Sequence, residues 1–166
     1  IESRDDPLLI RGADASALAK LHAGCSFQSY YPIAPATEES EVLTSLQNEY
    51  PITVLQGEDE IACINMAIGA AHAGARASTA TSGPGFSLMA EGLGFASIIE
   101  APGPVLTVYQ RGGPSTGLPT RQSQGDLSFA VHPGHSEFPH VVLAPGDIHE
   151  TLSLTFKAFN YADQYQ

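Results

Sequence analysis

Apolar residues along the chain follow two alternating patterns. Short β-branched runs, such as ITVLQ at 52–56, are separated by longer stretches in which apolar residues recur every three or four positions, as at Ile61, Ile64 and Ile68. The first pattern is typical of strands and the second of helices, and their alternation indicates βαβ units. The sequence therefore predicts an α/β fold, with a mainly parallel sheet and helices on both faces.

The predicted elements follow one another closely after residue 12. Thr37 is the expected N-cap of one helix, and Asp147 and Glu150 form the expected capping box of the last helix. We predict strands at 27–33, 52–56, 76–82, 104–110 and 140–144, and helices at 13–24, 35–49, 58–74, 86–99 and 145–162.

Composition limits the function classes. The chain has 166 residues, of which 43% are hydrophobic, and this suits one compact domain. Seven basic residues face eighteen acidic ones, and the net charge of −11 argues against nucleic acid and anionic membranes as partners. No run approaches the roughly 20 apolar residues of a membrane span, and the start lacks a signal-peptide pattern. We therefore expect a cytoplasmic protein.

Metal sites have little support in the sequence. Cys25 and Cys63 are the only cysteines, too few for an ordinary iron–sulfur cluster or an all-cysteine zinc site. His132, His135 and His140 lack the helical spacing of a zinc motif. We expect no metal bound by this chain.

A glycine-rich corner lies at one predicted strand end, the edge at which open parallel sheets bind ligands. The stretch TATSGPGFSLM at 79–89 turns from strand to helix through Gly83 and Gly85. It fails the GxGxxG fingerprint because Leu88 stands at the last position, and no Gly-Lys-Ser/Thr of a Walker A loop occurs. Locally, a turn without a ligand and a corner that approaches a ligand both remain open.

Two charged residues lie near other predicted strand ends. Glu60 precedes an apolar helix face, and a buried carboxyl there can share a proton with a bound ring nitrogen. The alternative is a charged helix start that complements the helix dipole. Arg111 ends a strand and suits a substrate carboxylate, which a guanidinium can hold through two parallel hydrogen bonds. Its alternative is a surface ion pair.

Four motifs, in order, resemble the α subunit of the 2-oxoacid:ferredoxin oxidoreductases. They are YYPIAPATEESEVL, GEDEIACINMAIGAAHAGARASTATSGPGFSLMAEGL, EAPGPVLTVYQRGGPSTGLPT and QGDL, and the resemblance runs from about Gly12 to the end. TSGPG is shared more widely among thiamine diphosphate enzymes, whereas RGGPSTGLPT points to this family. The resemblance implies that residues 1–166 form a single pyrimidine-binding domain of a longer α subunit.

The resemblance also implies roles for individual residues. The family's glutamate that bonds the pyrimidine N1′ matches Glu60, nine positions before Gly69, rather than Glu58. Arg111 falls where related enzymes hold the substrate carboxylate. Ala34 stands where the family usually has a threonine, which would pass the contact to a neighbour such as Thr37. The implied cofactor-binding residues are Glu60, Pro32, Ile33, Ser82, Gly83 and Gly85, and the implied substrate-binding residues are Arg111, Ala34 and Thr37.

The implied reaction is oxidative decarboxylation of a 2-oxoacid, such as pyruvate or 2-oxoglutarate, to an acyl-coenzyme A, with electrons passed to ferredoxin. The Gly-Asp-Gly motif that holds the magnesium of thiamine diphosphate is absent, and in the family it lies on the β subunit. We expect that subunit to bring magnesium and an iron–sulfur cluster, and this chain alone to bind no cofactor tightly. A non-catalytic interaction domain that pairs with a β subunit is the alternative, and a homodimer of the isolated domain is compatible with either.

Overall fold

Four parallel strands form the sheet of the computed structural model, which describes residues 9–100, 102–118, 121–135 and 137–166. In the described residues the spatial order of the strands is β2-β1-β3-β4. Tyr30 lies beside Ala80, and Ser82 lies beside Tyr109, so the strands end at one edge. The strands are β1 (Phe27–Tyr30), β2 (Thr53–Gln56), β3 (Ala77–Ser82) and β4 (Val105–Tyr109).

Helices cover both faces of this sheet. Leu43 and Phe159 pack on one face with Val105, whereas Ile64 and Met89 pack on the other with Leu106, which is the next residue of the same strand. Successive strand residues point to opposite faces, so the two clusters are separated by the sheet. The helices are α1 (Gly12–His22), α2 (Thr37–Leu46), α3 (Glu60–His72), α4 (Gly83–Ile98), α5 (Gly125–Val131) and α6 (Ile148–Tyr165).

This arrangement confirms the predicted α/β class. It also contains corrections, of which the segment 140–144 is the largest. These residues form no strand, and Val141 and Val142 are 57% and 39% exposed. The β-branched composition was right for a strand, but a strand also needs a neighbour with which to share hydrogen bonds.

Several helix ends differ from the prediction. The helix α4 begins at Gly83, because Pro84 fits the first turn, where its missing N–H costs nothing. Thr37 is wrong as a cap: Ala36 is the N-cap of α2, without a side-chain hydrogen bond. The short helix α5 was not predicted. Asp147 does cap α6, accepting from the amide of Glu150 at 2.8 Å.

A buried polar cluster joins one helical layer to the sheet. Glu39 and Lys20 form an ion pair with both side chains fully buried. Ser16 Oγ donates to Glu39 Oε2 at 2.6 Å, and Gln28 Oε1 accepts from Lys20 Nζ at 3.1 Å. The hydroxyl of Tyr109 donates to the same Glu39 Oε2 at 2.8 Å. Because buried charges need partners, this cluster fixes the relative positions of α1, α2, β1 and β4.

The described helices include none with the combination of length and apolarity that a membrane crossing requires.

Candidate functional site

Glu60 is the first residue of α3 and lies in the interior. Glu60 is only 6% exposed, whereas Glu58, two positions earlier, is exposed. Asp59 caps the helix by accepting from the amide of Ala62 at 2.7 Å, so Glu60 is not needed as a cap. Within the described part of the chain the Glu60 carboxylate makes no hydrogen bond, and it is therefore available to a ligand.

Gly85 brings the backbone of α4 against this carboxylate. A Cβ atom on Gly85 would stand 2.7 Å from Glu60 Oε1 and would overlap the hydroxyl oxygen of Thr81. Real Cβ atoms do not approach other atoms so closely, so only glycine fits here. The Gly83–Gly85 corner thus packs backbone directly against the buried carboxyl, and Thr81 is a neighbour that the sequence analysis did not single out.

Gly83 makes a second close approach. A Cβ atom at this position would collide with the carboxylate of Asp126, which lies in the first turn of α5. The same carboxylate accepts from the backbone amide of Arg111 at 2.9 Å. Asp126 thus lies where the start of α4 meets the loop after β4. Asp126 belongs to the motif QGDL, which carried part of the family resemblance but gave this residue no role.

Arg111 is buried, with 3% of its surface exposed. Its guanidinium donates from Nη1 to the carbonyl oxygen of Ala34 at 3.1 Å and from Nη2 to that of Ser115 at 2.8 Å. None of the ion pairs among the described residues involves Arg111. The surface ion pair is therefore the wrong interpretation. The residue is a buried cation that joins two strand-end loops, and residues 119 and 120 of the second loop lie outside the described residues.

The loop between β1 and α2 carries the remaining substrate candidates. Ile33 is buried against Ala36 and Ala80, whereas Pro32 and Ala34 are exposed. Ala34 meets Arg111 through its carbonyl oxygen, so this contact does not depend on the side chain that replaces the usual threonine. Thr37 is partly buried, and its amide donates to the carbonyl oxygen of Ile33 at 3.1 Å. The structure brings this loop to Arg111, and the roles of its residues stay predictions.

Ser82 ends β3 with an unsatisfied hydroxyl. Its Oγ atom is buried and has no hydrogen-bond partner among the described residues, and the Oγ1 atom of Thr79 is likewise buried without a partner there. A buried polar atom without a partner costs free energy, so one at a strand end is a group that a ligand can satisfy. Nearby, a cleft of about 420 Å³ lies between the start of α4, the loop at 113–115 and α5.

The environment of α3 keeps one thiol neutral. A Cβ atom on Gly57 would stand only 2.6 Å from Cys63 Sγ, and Cys63 is fully buried. Burial raises the pKa of the Cys63 thiol to about 11. A thiol with so high a pKa is a poor nucleophile at neutral pH, and Cys63 packs α3 against the loop after β2.

The histidines make other contacts. His135 packs its ring against Gly94 of α4, and the two ring nitrogens of His140 lie 3.0 and 3.1 Å from the carbonyl oxygens of Phe138 and Val131. Among the residues that the structure describes, no group of three His, Cys, Asp or Glu is arranged to hold a metal ion.

Comparison with known proteins decides the family. The family model described as pyruvate flavodoxin/ferredoxin oxidoreductase, thiamine diphosphate-binding, matches residues 18–166. This chain belongs to that family. The resemblance found in the motifs is thereby confirmed, and so is a domain type that binds thiamine diphosphate.

Curated relatives are similar to the chain over most of its length. It is 54% identical over 167 aligned residues to 2-oxoacid:ferredoxin oxidoreductase 1, subunit alpha, from Sulfurisphaera tokodaii, covering 93% of the chain and 26% of that relative. It is 46% identical over 157 residues to 2-oxoglutarate synthase subunit KorA from Archaeoglobus fulgidus, covering 95% of the chain and 45% of that relative. The chain thus spans about a quarter of the length of the first relative and less than half of the length of the second.

A solved structure shows the same fold. It is 2-oxoglutarate:ferredoxin oxidoreductase from Magnetococcus marinus with 2-oxoglutarate, coenzyme A and succinyl-CoA bound. The superposition has a TM-score of 0.90 and 42% sequence identity, and it covers 97% of this chain and 28% of that one. The parallel sheet with helices on both faces is therefore the fold of a 2-oxoacid oxidoreductase domain.

The residues at the strand ends fit thiamine diphosphate. Gly85 brings the backbone of α4 against the Glu60 carboxylate with no side chain between them. The Glu60 carboxylate and the Ser82 hydroxyl have no hydrogen-bond partner within the described residues. A pyrimidine offers ring nitrogens and an amino group, which are complementary to an unpaired carboxylate and hydroxyl.

Proposed function

We propose that this chain supplies the pyrimidine-side half of the thiamine diphosphate site in the α subunit of a 2-oxoacid:ferredoxin oxidoreductase. The overall reaction converts a 2-oxoacid, coenzyme A and two oxidised ferredoxins into acyl-coenzyme A, CO₂, one proton and two reduced ferredoxins. The observation that carries the proposal is the buried Glu60 carboxylate, held against Gly85 and left without a hydrogen bond among the described residues. Membership in a thiamine diphosphate-binding family supports it.

Glu60 is the proposed catalytic residue, since its carboxyl would share a proton with the pyrimidine N1′. Placed at the first position of α3, the carboxyl is fixed by the helix rather than by a mobile loop. The low exposure of the residue, 6%, limits the access of water to the carboxyl. When bound, thiamine diphosphate supplies the electron sink for the loss of CO₂. Pro32, Ile33, Ser82, Gly83 and Gly85 would complete the pyrimidine side.

Arg111 is the proposed binding group for the substrate carboxylate. A guanidinium carries five N–H donors, and three contacts to carbonyl oxygens within the described residues leave donors for an anion. The charge is buried without a carboxylate partner there, so an incoming anionic substrate would compensate it. Ala34 would contribute a small side chain at the substrate loop, and Thr37 the nearby hydroxyl.

The partner is proposed to be a β subunit that holds the diphosphate with magnesium and carries an iron–sulfur cluster. Support comes from the relatives, two of which are named as subunits, and from the absence of the Gly-Asp-Gly motif in this sequence. Coenzyme A and 2-oxoglutarate are bound in the similar structure from Magnetococcus marinus. We place residues 1–166 in one pyrimidine-binding domain of a longer α subunit, and the reaction in the cytoplasm.

The test uses the full-length α subunit co-expressed with its β partner. Reduction of a viologen dye is followed with pyruvate and 2-oxoglutarate, with and without coenzyme A, and bound thiamine diphosphate is measured separately. We expect dye reduction that needs a 2-oxoacid, its loss in Glu60→Gln, and its retention in Glu58→Gln. The second substitution makes the same chemical change at an exposed position.

Two results would contradict this proposal, the first for the role of Glu60 and the second for the function of the chain. Full dye reduction in Glu60→Gln would remove Glu60 from the chemistry. A stable α–β complex that binds thiamine diphosphate but reduces no dye with any 2-oxoacid would instead favour the non-catalytic interaction domain, with Ala34 as the first position to restore to threonine.

A further inference from the structure

The buried polar cluster of the core reaches the strand-end site through Tyr109. Its central residue, Glu39, is fully buried and accepts hydrogen bonds from Lys20, Ser16 and Tyr109. Lys20 and Ser16 lie on α1, whereas Tyr109 is the last residue of β4. Tyr109 is therefore the donor to Glu39 that β4 contributes.

Tyr109 keeps its proton and so acts as a donor. Burial, with the adjacent Glu39 carboxylate as the second cause, raises the pKa of Tyr109 far above its usual range. The hydroxyl then donates to Glu39 Oε2 at 2.8 Å. The side chain packs against Ile33, Ala36 and Ala80, which are the buried residues beside the proposed substrate loop.

Two contacts run in parallel from the end of β4 to the segment between β1 and α2. Tyr109 reaches Glu39 of α2, and Arg111, two residues later, reaches the carbonyl oxygen of Ala34. The first contact joins the end of β4 to α2, and the second joins the loop after β4 to the loop before α2. A shift of β4 by a fraction of an ångström would lengthen the 3.1 Å bond between Arg111 and Ala34.

We propose that Glu39 and Tyr109 are positioning residues for 2-oxoacid binding: they hold the end of β4 so that Arg111 and the loop at 31–37 present their donors to the substrate carboxylate. The proposal rests on the proposed function of Arg111. A buried ion pair is weak support for stability as such, because desolvation offsets much of the attraction. The bonds of Glu39 to Lys20, Ser16 and Tyr109 instead specify one arrangement of α1, α2 and β4.

The experiment compares two hydroxyl deletions that act on the same carboxylate oxygen. Tyr109→Phe removes the hydroxyl donor that β4 contributes, and Ser16→Ala removes the hydroxyl donor that α1 contributes. Both are made in the full-length α subunit assembled with its β partner. The KM for the 2-oxoacid, kcat and the apparent melting temperature are measured for each. Both changes leave the Lys20–Glu39 pair intact, so both proteins are expected to fold.

A positioning role predicts a split between the two variants. Tyr109→Phe should raise the KM about three- to thirtyfold while kcat changes less than twofold, since couplings through packed networks have this size. Ser16→Ala should leave the KM unchanged, although we expect both variants to lower the melting temperature by similar amounts. Equal KM values in both variants, or a KM that rises in both as the melting temperature falls, would overturn the proposal.

Amide hydrogen exchange provides a readout that does not need turnover. The amide of Thr37 donates to Ile33, and the amide of Gly112 donates to Arg121, so each reports the order of one loop. Tyr109→Phe should speed exchange at both amides, and Ser16→Ala at neither. Absence of 2-oxoacid turnover in the wild type would reject the proposed function, whereas unchanged exchange in Tyr109→Phe would reject the positioning role.

Discussion

Glu60 Oε1 lies 2.7 Å from the point where a Cβ atom on Gly85 would stand, so the catalytic candidate and the glycine corner are in direct contact. The hydroxyl of Thr81 borders the same point. The corner therefore lacks space for any side chain, and its conformation is tied to that of the carboxylate. Any change that fills this point has to move Glu60, Thr81 or the first turn of α4.

Gly85→Ala should displace Glu60 while leaving the rest of the fold in place. The added methyl group meets two side chains at the start of α4, and we expect thiamine diphosphate affinity and turnover of the α–β complex to fall about tenfold or more, because misplacement by about 1 Å can cost a hundredfold. Titration calorimetry with thiamine diphosphate, together with dye reduction, measures both effects.

Gly69→Ala is the matched control for that substitution. Gly69 lies inside α3, and a Cβ atom there would meet nothing within 4 Å. Alanine is the better helix former, so this variant should gain about 0.5–1 kcal/mol in the free energy of unfolding and keep full activity. Equal cofactor affinity in the two variants would show that the Glu60–Gly85 contact has no role in binding.

Arg111→Ala should raise the KM for 2-oxoacids and also destabilise the protein. The side chain is buried and bonds the carbonyl oxygens of Ala34 and Ser115, and hydrogen bonds from charged groups contribute about 1.5–3 kcal/mol. Arg121→Ala removes an exposed arginine from the same loop and should change neither quantity. Substrate-dependent kinetics and urea unfolding of the same preparations test both parts, and an unchanged KM in Arg111→Ala would take the substrate role from Arg111.

The strand-end residues could be predicted because the sheet follows a general rule. Alternating elements predict a parallel sheet, and its strands end at one edge, so Glu60, Arg111 and the Gly83–Gly85 corner were expected together. Local patterns also located α3 correctly to within two residues. The prediction depended on periodicity and on turn residues, both of which are properties of neighbouring positions in the chain.

The contacts that join these residues could not be predicted in the same way. Asp126 meets Gly83 and Arg111 only after α5 folds back over the sheet, and neither spacing nor propensity encodes that placement. Lys20 occupies a fully buried position that a lysine rarely takes, because Glu39 on another helix compensates its charge. The strand predicted at 140–144 was wrong for a related reason, since a segment forms a strand only where the folded chain places it beside a sheet edge with which it can share hydrogen bonds.

Lys20→Met should destabilise the protein strongly. The substitution leaves Glu39 as a buried carboxylate without its cation, a change that typically costs about 3–5 kcal/mol. Adding Glu39→Gln removes the unpaired charge and should recover part of that loss. Urea unfolding of both variants gives the free energies. Arg11→Ala, which breaks the exposed ion pairs with Asp14 and Glu38, should cost far less. A similar loss in Lys20→Met and Arg11→Ala would contradict the importance of the buried pair.

Alkaline pH should weaken the fold through its buried thiols and phenol. Burial raises the pKa of Cys63 from 9.0 to about 11, and the pKa values of Cys25 and Tyr109 are raised as well. The folded state then holds protons that the unfolded state has lost, so stability is fully present below pH 9 and falls as pH rises toward 11. Each group adds a slope of at most about 1.4 kcal/mol per pH unit. Urea unfolding with reductant at pH 8.5, 9.5 and 10.5 should show this decline, and Cys63→Ala should make it shallower. Parallel curves for the two proteins would mean that Cys63 ionises with equal ease in the folded and the unfolded chain.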